Sequence, residues 1–213
     1  MQPQPYAHRT LRILAITSGL IVALWLIGTP AGILGKADAV GYAICHRIAE
    51  RSFHAHDHQL PLCARCTGIY LGVITGLLYF IGRGRSRAAK LPALRYLLVM
   101  GGFVAVYGFD GLNSYFSIFK FYAPVYERNN TLRLLTGATF GLAMITAVWP
   151  VYNMIVWRDQ TQPTAPITSC RDLLALYMLA GSVCVLVLLD QPAILYAAAI
   201  ISVIGVVLMF SII

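Results

Sequence analysis

The sequence has few charged residues and no long polar region. Only 11% of its 213 residues are charged, less than half of the share in an ordinary soluble domain. Hydrophobic residues make up 59%, and a soluble chain of this length cannot bury so much apolar surface. The sequence also contains no obvious repeat, no low-complexity stretch and no polar segment of domain size. These features exclude an ordinary soluble domain and indicate a protein of the lipid bilayer.

Acidic residues are scarce as well, since 8 carboxylates face 16 Lys and Arg and leave a net charge of +8. In a soluble protein this balance would suggest nucleic acid as a partner. Here the basic residues lie in loops between apolar runs, without a basic stripe interleaved with aromatic residues. We therefore expect no nucleic-acid partner and interpret these residues as contacts with lipid headgroups that also orient the chain.

Six apolar runs are long enough to cross a bilayer as helices, the form in which a chain satisfies its own backbone in lipid. We predict an all-α fold: a polytopic transmembrane helical bundle of about six spans that forms one integral membrane domain over residues 1–213. A cleavable signal peptide is the competing interpretation of the first run, because small residues lie near Ala37. The predicted spans are Leu11–Leu34, Thr67–Ile81 extended back to Pro61, Leu94–Phe109 with Phe116 as its furthest end, Leu132–Val156, Leu173–Leu189 and Ala193–Ile213.

The loop over residues 82–95 is strongly basic and contains no acid. The positive-inside rule places it in the cytoplasm. Alternation of the spans then puts both termini in the cytoplasm at the cell membrane, and residues 35–66 and 110–131 on the extracytoplasmic face. The basic residues of the loop are Arg83, Arg85, Arg87, Lys90 and Arg95.

The Cys/His-rich segment, residues 35–66, lies between the first two spans. Three of the five cysteines and four of the five histidines fall between Cys45 and Cys66. We expect a surface helix over Ala37–Phe53 and a second span that starts at Pro61. Cys63 and Cys66 can then point at one ion, with Cys45 and one histidine completing the four ligands that zinc favours. The candidate histidines are His46, His54, His56 and His58.

Two other interpretations of the cysteines remain open. A C-x-x-C pair at a helix N-terminus favours the thiolate, helped here by Arg65, so that the pair can exchange disulfides with Cys45 as a third thiol. Alternatively, Cys45 forms a structural disulfide with Cys63 or Cys66, which an extracytoplasmic location permits. Cys184, in the middle of the fifth span, is interpreted as a packing residue.

A second polar group is expected on the same face. Asp110 and Asn113 end the third span, and Asn130 and Arg133 open the fourth. We predict an ion pair between Asp110 and Arg133, since ionisable groups at membrane depth usually face the bundle interior in pairs. The simpler alternative is that Asn130 caps its helix and Arg133 reaches out to the headgroups.

Pairs of small residues predict close contacts between helices. Gly72 and Gly76 lie four residues apart in the second span, as do Gly137 and Gly141 in the fourth. This spacing lets two helix backbones approach each other closely. We therefore expect these glycines to serve packing rather than chemistry.

Several short motifs are similar to those of a known family. They are Cys45-His46-Arg47, Arg51-Ser52-Phe53, Pro61-Leu62-Cys63-Ala64-Arg65-Cys66-Thr67-Gly68, Asp110-Gly111 and Asn130-x-x-Arg133-x-x-x-Gly137. Over roughly Cys45 to Gly141, the chain resembles a family of small prokaryotic multi-pass membrane proteins of unknown function. The histidines at 54, 56 and 58 depart from the family pattern, so the resemblance favours the cysteines as carriers of a shared function. It implies a site and no particular reaction.

The predicted site lies at the extracytoplasmic end of the bundle. Its metal-binding or redox part comprises Cys45, His46, Cys63 and Cys66, with zinc as the expected ion. Its other part provides positive charge for a headgroup, phosphate or carboxylate and comprises Arg47, Arg51, Arg65, Asp110, Asn130 and Arg133. Catalysis is left open. The competing class is a non-catalytic accessory subunit, whose partners are other membrane subunits as well as lipid.

Overall fold

The computed structural model of the chain describes residues 5–116, 125–127 and 129–213. Helices dominate this part of the chain, and one small antiparallel sheet interrupts them. The helices are α1 (Pro5–Gly28), α2 (Gly32–Ile44), α3 (Ala64–Gly82), α4 (Leu94–Phe116), α5 (Asn130–Val156), α6 (Cys170–Leu188) and α7 (Pro192–Ile212). The strands are β1 (Ser52–Ala55) and β2 (His58–Cys63), and short 3-10 turns occur at Ala49–Arg51 and Arg158–Gln160.

Six of these helices, all except α2, are long and apolar enough to cross a membrane. With its 13 residues, α2 is only about 20 Å long, which is too short for a span. The prediction of an all-α polytopic bundle with six spans is therefore confirmed for the described residues.

The first span ends earlier than the sequence suggested. We predicted a helix that continues to Leu34, but α1 ends at Gly28 and the separate helix α2 follows. Pro30 lies in the break, where it lacks a backbone N–H and disfavours helical geometry in the residue before it. The ammonium of Lys36 in α2 donates to the carbonyl oxygen of Thr29 at 3.0 Å, so this hydrogen bond links α2 to the end of α1.

A β-hairpin replaces part of the helix that we expected after α2. The predicted helix over Ala37–Phe53 is wrong in its second half, and Pro61 lies in β2 instead of starting a span. Residues 56–57 form the turn, in which His56 has the positive φ of 53° that tight hairpin turns require. Leu60 and Leu62 of β2 are buried, so the hairpin packs on the bundle and leads the chain into α3.

Glycines hold α3 and α5 in close contact. A Cβ atom at Gly68 or Gly72 would overlap a backbone carbonyl of α5, and one at Gly137 or Gly141 would overlap a carbonyl of α3. Only residues without a Cβ allow two backbones to approach so closely. The packing role predicted for Gly72, Gly137 and Gly141 is confirmed, and the predicted Gly76 contacts a side chain of α5 rather than its backbone.

In contrast to the other spans, α1 does not contribute to the core. Every described side chain from Thr10 to Gly28 is exposed, and Leu24 reaches 68% exposure. Apolar side chains at this density require lipid or another protein around them. The buried core of the described residues therefore lies among α3 to α7 with α2 and the hairpin packed on it, and the lipid bilayer is the natural environment of α1.

Polar contacts join the basic loop to α6 at the end of the bundle remote from the cysteines. The buried carboxylate of Asp172, in the first turn of α6, lies 2.9 Å from the guanidinium of Arg85. It also accepts hydrogen bonds from the hydroxyls of Thr168 at 2.8 Å and Tyr79 at 3.1 Å. Arg85 therefore stabilises the fold at this end.

Candidate metal centre

Three cysteines converge where the hairpin meets α3. Cys45 follows the last residue of α2, Cys63 ends β2 and Cys66 lies in the first turn of α3. Their sulfur atoms all lie within 4.8 Å of one another, and all three are free thiols. The hairpin produces this arrangement, because it returns the chain to the end of α2 before α3 begins.

Cys45 is the most acidic thiol outside the spans. The backbone N–H of Cys63 donates to the Sγ atom of Cys45 at 3.3 Å. Hydrogen bonds from the thiols of Cys63 and Cys66 hold the pKa of Cys45 well below its ordinary value, whereas the hydrogen bond with Cys45 raises the pKa of Cys63. The three thiols therefore titrate as a coupled group, in which the hydrogen bonds favour the thiolate form of Cys45.

No histidine belongs to this group among the described residues. His46 is exposed and lines the cavity beside the cysteines. His54 and His56 are exposed on the hairpin, and Nε2 of His58 lies 3.1 Å from the carboxylate of Asp38. The structure thus brings together the three predicted cysteines without the histidine that we expected as a fourth ligand.

A cavity of about 480 Å³ opens beside the three cysteines. Eight of the ten predicted site residues line it. The remaining two, Asp110 and Asn130, contact arginines of its wall. The residues that line the cavity are Ile44, Cys45, His46, Arg47, Ile48, Arg51, Cys63, Arg65, Cys66, Tyr115 and Arg133.

Asp110 of α4 forms an ion pair with Arg65 of α3. The carboxylate is 3% exposed and also accepts a hydrogen bond of 2.6 Å from the hydroxyl of Tyr126. Burial raises the pKa of the Tyr126 hydroxyl to about 12, and the hydrogen bond to Asp110 adds to the effect. Asp110 thus anchors one arginine of the cavity wall.

Arg133 joins the same network through Ser114. Its guanidinium donates to the hydroxyl of Ser114 at 3.3 Å and to the side-chain oxygen of Asn130 at 3.2 Å. The guanidinium of Arg65 donates to the same hydroxyl at 3.2 Å. We predicted Arg133 as the partner of Asp110, and the sequence did not indicate the ion pair that Asp110 makes with Arg65.

Arg47 is held by two contacts on the other side of the cavity. Its guanidinium lies 2.8 Å from the carboxylate of Asp38 and stacks over the ring of Tyr42 at 4.1 Å. Its backbone has a φ of 47°, and the amide of Gln59 donates to its carbonyl oxygen at 2.8 Å. The hairpin therefore positions Arg47 through both its backbone and its side chain.

Sequence reasoning missed three residues that support the site. Ser114 lies four residues after Asp110, and this helical spacing could have identified it. Asp38 lies in α2, and no motif in the sequence marked it as part of a site. No pattern indicated Tyr126, which approaches Asp110 through the tertiary fold.

The donor set fits a thiophilic metal ion. Zinc binds thiolates at about 2.3 Å in a tetrahedron, which separates the sulfur atoms by about 3.8 Å. The sulfur atoms of Cys45, Cys63 and Cys66 lie within 4.8 Å of one another, a range that includes this spacing, and the cavity arginines favour the thiolate form. These residues can therefore hold one ion with three protein ligands.

The structure is that of a multi-pass membrane protein, with six apolar helices that can span a membrane. The cysteine cluster and the arginine-lined cavity lie at one end of the bundle. Residues 45–147 match the family described as predicted membrane protein (DUF2085). The chain belongs to this uncharacterised family of small prokaryotic membrane proteins. The matched range begins at Cys45 and includes all three cysteines of the cluster and the four arginines of the cavity.

Two archaeal proteins are similar to the chain, and both are uncharacterised. One, from Methanothermobacter thermautotrophicus, is 41% identical over 107 residues, which are 49% of this chain and 86% of that protein. The other, from Methanocaldococcus jannaschii, is 29% identical over 120 residues, which are 56% of this chain and 70% of that protein. No solved structure matches the chain.

Proposed function

We propose that Cys45, Cys63 and Cys66 bind one zinc ion. The observation that supports this proposal is the mutual approach of three sulfur atoms to within 4.8 Å from two stretches of chain that the hairpin separates. Thiolates select zinc, copper(I) and iron–sulfur clusters among the common metals. Zinc does not change its oxidation state, so it needs no electron donor or acceptor, and it accepts three protein ligands in a tetrahedral site.

A site with three protein ligands leaves the fourth position of the zinc ion for water or another small ligand. The three cysteines line the cavity, so this fourth position would face it. A zinc ion held in this way is accessible to a ligand, unlike a closed four-cysteine site. The function that we propose is therefore ligand binding at a membrane-embedded zinc centre.

We place this centre on the extracytoplasmic face. It lies at the N-terminal end of α3, whereas the basic loop over residues 82–95 follows the C-terminal end of that helix. With the basic loop in the cytoplasm, the cysteines are on the opposite face.

Metal analysis of the purified protein tests the zinc centre directly. We expect roughly one zinc per chain after purification in mild detergent without chelators, and a loss of that zinc in Cys63→Ser and Cys66→Ser. Cys170→Ser is the matched control, because Cys170 is exposed and begins α6 at the end of the bundle remote from the cluster. Equal zinc contents in Cys66→Ser and Cys170→Ser would refute the proposal.

The same preparation distinguishes the competing functions. Mass spectrometry after alkylation counts free thiols. A metal-free protein with a disulfide between two cluster cysteines would rule out zinc binding and favour either thiol–disulfide exchange or a structural disulfide. The accessory role would be favoured by a third result. In that case the protein contains no metal, its three cluster thiols are free, and another membrane subunit co-purifies with it in stoichiometric amount.

A further inference from the structure

We propose that the cavity binds the phosphoryl group of an anionic membrane amphiphile. Four arginines from three parts of the chain line it: Arg47 and Arg51 before and within the 3-10 turn, Arg65 in α3 and Arg133 in α5. No Asp or Glu is among the described residues of its wall. This concentration of one sign of charge in a concave site attracts anions.

The arginines are too deeply buried to serve only as surface charges. Arg133 is 3% exposed, and the side chain of Arg47 is 9% exposed. The Nε atoms of Arg51 and Arg65 are shielded from solvent and have no hydrogen-bond partner among the described residues. Buried donors of this kind normally have an acceptor, and the oxygens of a bound anion provide one.

The charges favour a phosphoryl group over a carboxylate. Asp38 and Asp110 form ion pairs with Arg47 and Arg65, so the carboxylates near the cavity offset only part of its positive charge. A phosphate monoester carries up to two negative charges and offers three terminal oxygens to guanidinium groups, whereas a carboxylate carries one charge and offers two.

The shape of the cavity indicates that the ligand has an apolar part. Its volume of about 480 Å³ exceeds what one phosphate group fills, and Ile44 and Ile48 line it together with the arginines. It lies where α3 and α5 begin, at the end of two membrane spans. A lipid in the adjoining leaflet can therefore place its headgroup among the arginines while its chains remain in the membrane.

Binding of a short-chain lipid to the full-length protein in neutral detergent tests this inference. The probes are phosphatidic acid with two six-carbon chains, phosphatidylcholine with the same chains, and inorganic phosphate, each followed by isothermal titration. We expect phosphatidic acid to bind more tightly than both others. Arg51→Gln should weaken its binding roughly tenfold to a hundredfold, as expected for loss of a charged hydrogen bond.

Controls separate loss of binding from loss of folding. Arg95→Gln changes an exposed arginine outside the cavity and should leave the affinity unchanged, whereas Arg51→Lys keeps the charge and should retain part of the affinity. An Arg51→Gln variant that melts like the wild type yet binds phosphatidic acid equally well would overturn the proposal. Equal affinity for phosphatidylcholine would also overturn it, and equal affinity for inorganic phosphate would overturn the assignment to a lipid.

The inference depends on the arginines and not on the zinc ion. Metal content and lipid affinity can be measured on one sample, before and after treatment with a chelator. Retained phosphatidic acid binding in metal-free protein would support the cavity while the zinc proposal failed. If phosphatidic acid does not bind either with or without zinc, the cavity proposal fails. The zinc content of the same sample then decides the zinc proposal separately.

Discussion

Arg65 and Asp110 form an ion pair that joins the first turn of α3 to the last two turns of α4. Arg65 directly precedes Cys66 and also lies over the ring of Tyr107, 5.6 Å from its centre. An acid of α4 therefore positions both an arginine of the cavity wall and a cysteine of the cluster. The site depends on this contact between helices as well as on the hairpin.

Asp110→Asn should destabilise the protein strongly. The substitution leaves the guanidinium of Arg65, whose side chain is 20% exposed, without its ion-pair partner, and losing one partner of a buried pair costs about 3 kcal/mol. The apparent free energy of unfolding in mixed detergent–SDS micelles measures this loss. Asp190→Asn is the control, since Asp190 is exposed in the turn before α7, and an equal effect of the two substitutions would contradict the assignment.

Tyr126→Phe should lower the free energy of unfolding by a smaller amount that depends on pH. Its hydroxyl bonds to Asp110 but is only partly buried, so we expect a loss of about 1 kcal/mol at neutral pH. Because the pKa of Tyr126 rises from 10.0 to about 12 on folding, this contribution is complete below pH 10 and is lost as the pH increases towards 12. The difference in unfolding free energy between wild type and Tyr126→Phe should therefore shrink over that range, and a constant difference would argue against the hydrogen bond.

Gly141→Ala should separate α3 from α5. The added methyl group would overlap the carbonyl oxygen of Ile69, and overpacking of this kind costs about 1–3 kcal/mol. Gly181→Ala in α6 is the matched control, because nothing lies within 4 Å of its Cβ position. Thermal melting in detergent should show a lower midpoint for the first variant alone. Indistinguishable midpoints would mean that the close packing does not limit stability.

Removal of the metal should lower the melting temperature, and this effect should require the cluster cysteines. A ligand present at a hundred times its dissociation constant stabilises the folded state by about 2.7 kcal/mol. A zinc-selective chelator should therefore lower the midpoint of the wild type and of Cys170→Ser, and should not change that of Cys66→Ser. A chelator effect of the same size in Cys66→Ser would assign the metal to another site.

The orientation can be tested by thiol labelling in right-side-out membrane vesicles. We expect a membrane-impermeant maleimide to modify His54→Cys, on the exposed face of β1, and not Cys170, which is exposed at the other end of the bundle. Mass spectrometry of the labelled peptides distinguishes these thiols from the native cluster. Labelling of Cys170 alone would reverse the topology and place the cluster in the cytoplasm.

The six spans and the grouping of the site were predictable because they depend on simple patterns. Long apolar runs define the helices, and an even number of crossings brings residues 45–66 and Arg133 to one end of the bundle. The cysteines, histidines and arginines were also visible as a concentration of rare residues. Predictions from these patterns are reliable because a chain that crosses lipid has few ways to satisfy its backbone hydrogen bonds.

The hairpin and the ion pairs could not be predicted, because they depend on local turn geometry and on which helix faces which. Arg47 is not a residue type that signals a positive φ, so the segment after α2 was predicted as a helix. Histidine is enriched at positive φ, but a single histidine does not define a turn. Asp110 and Arg65 are 45 residues apart in the chain, and their contact follows from the rotation of α3 and α4 about their own axes. Hydrophobic patterns leave that rotation undetermined when lipid surrounds the bundle.

The close contact between the glycines of α3 and α5 makes one wall of the cavity rigid. Arg65, Cys66 and Arg133 extend from two helices whose backbones touch, so they move as one body. Helix α2 has a contact of the same kind, because a Cβ atom at Gly41 would overlap the carbonyl oxygen of Pro61 in β2. Both sides of the cavity are therefore held by close backbone contacts, so the side chains of its wall stand on a preformed framework.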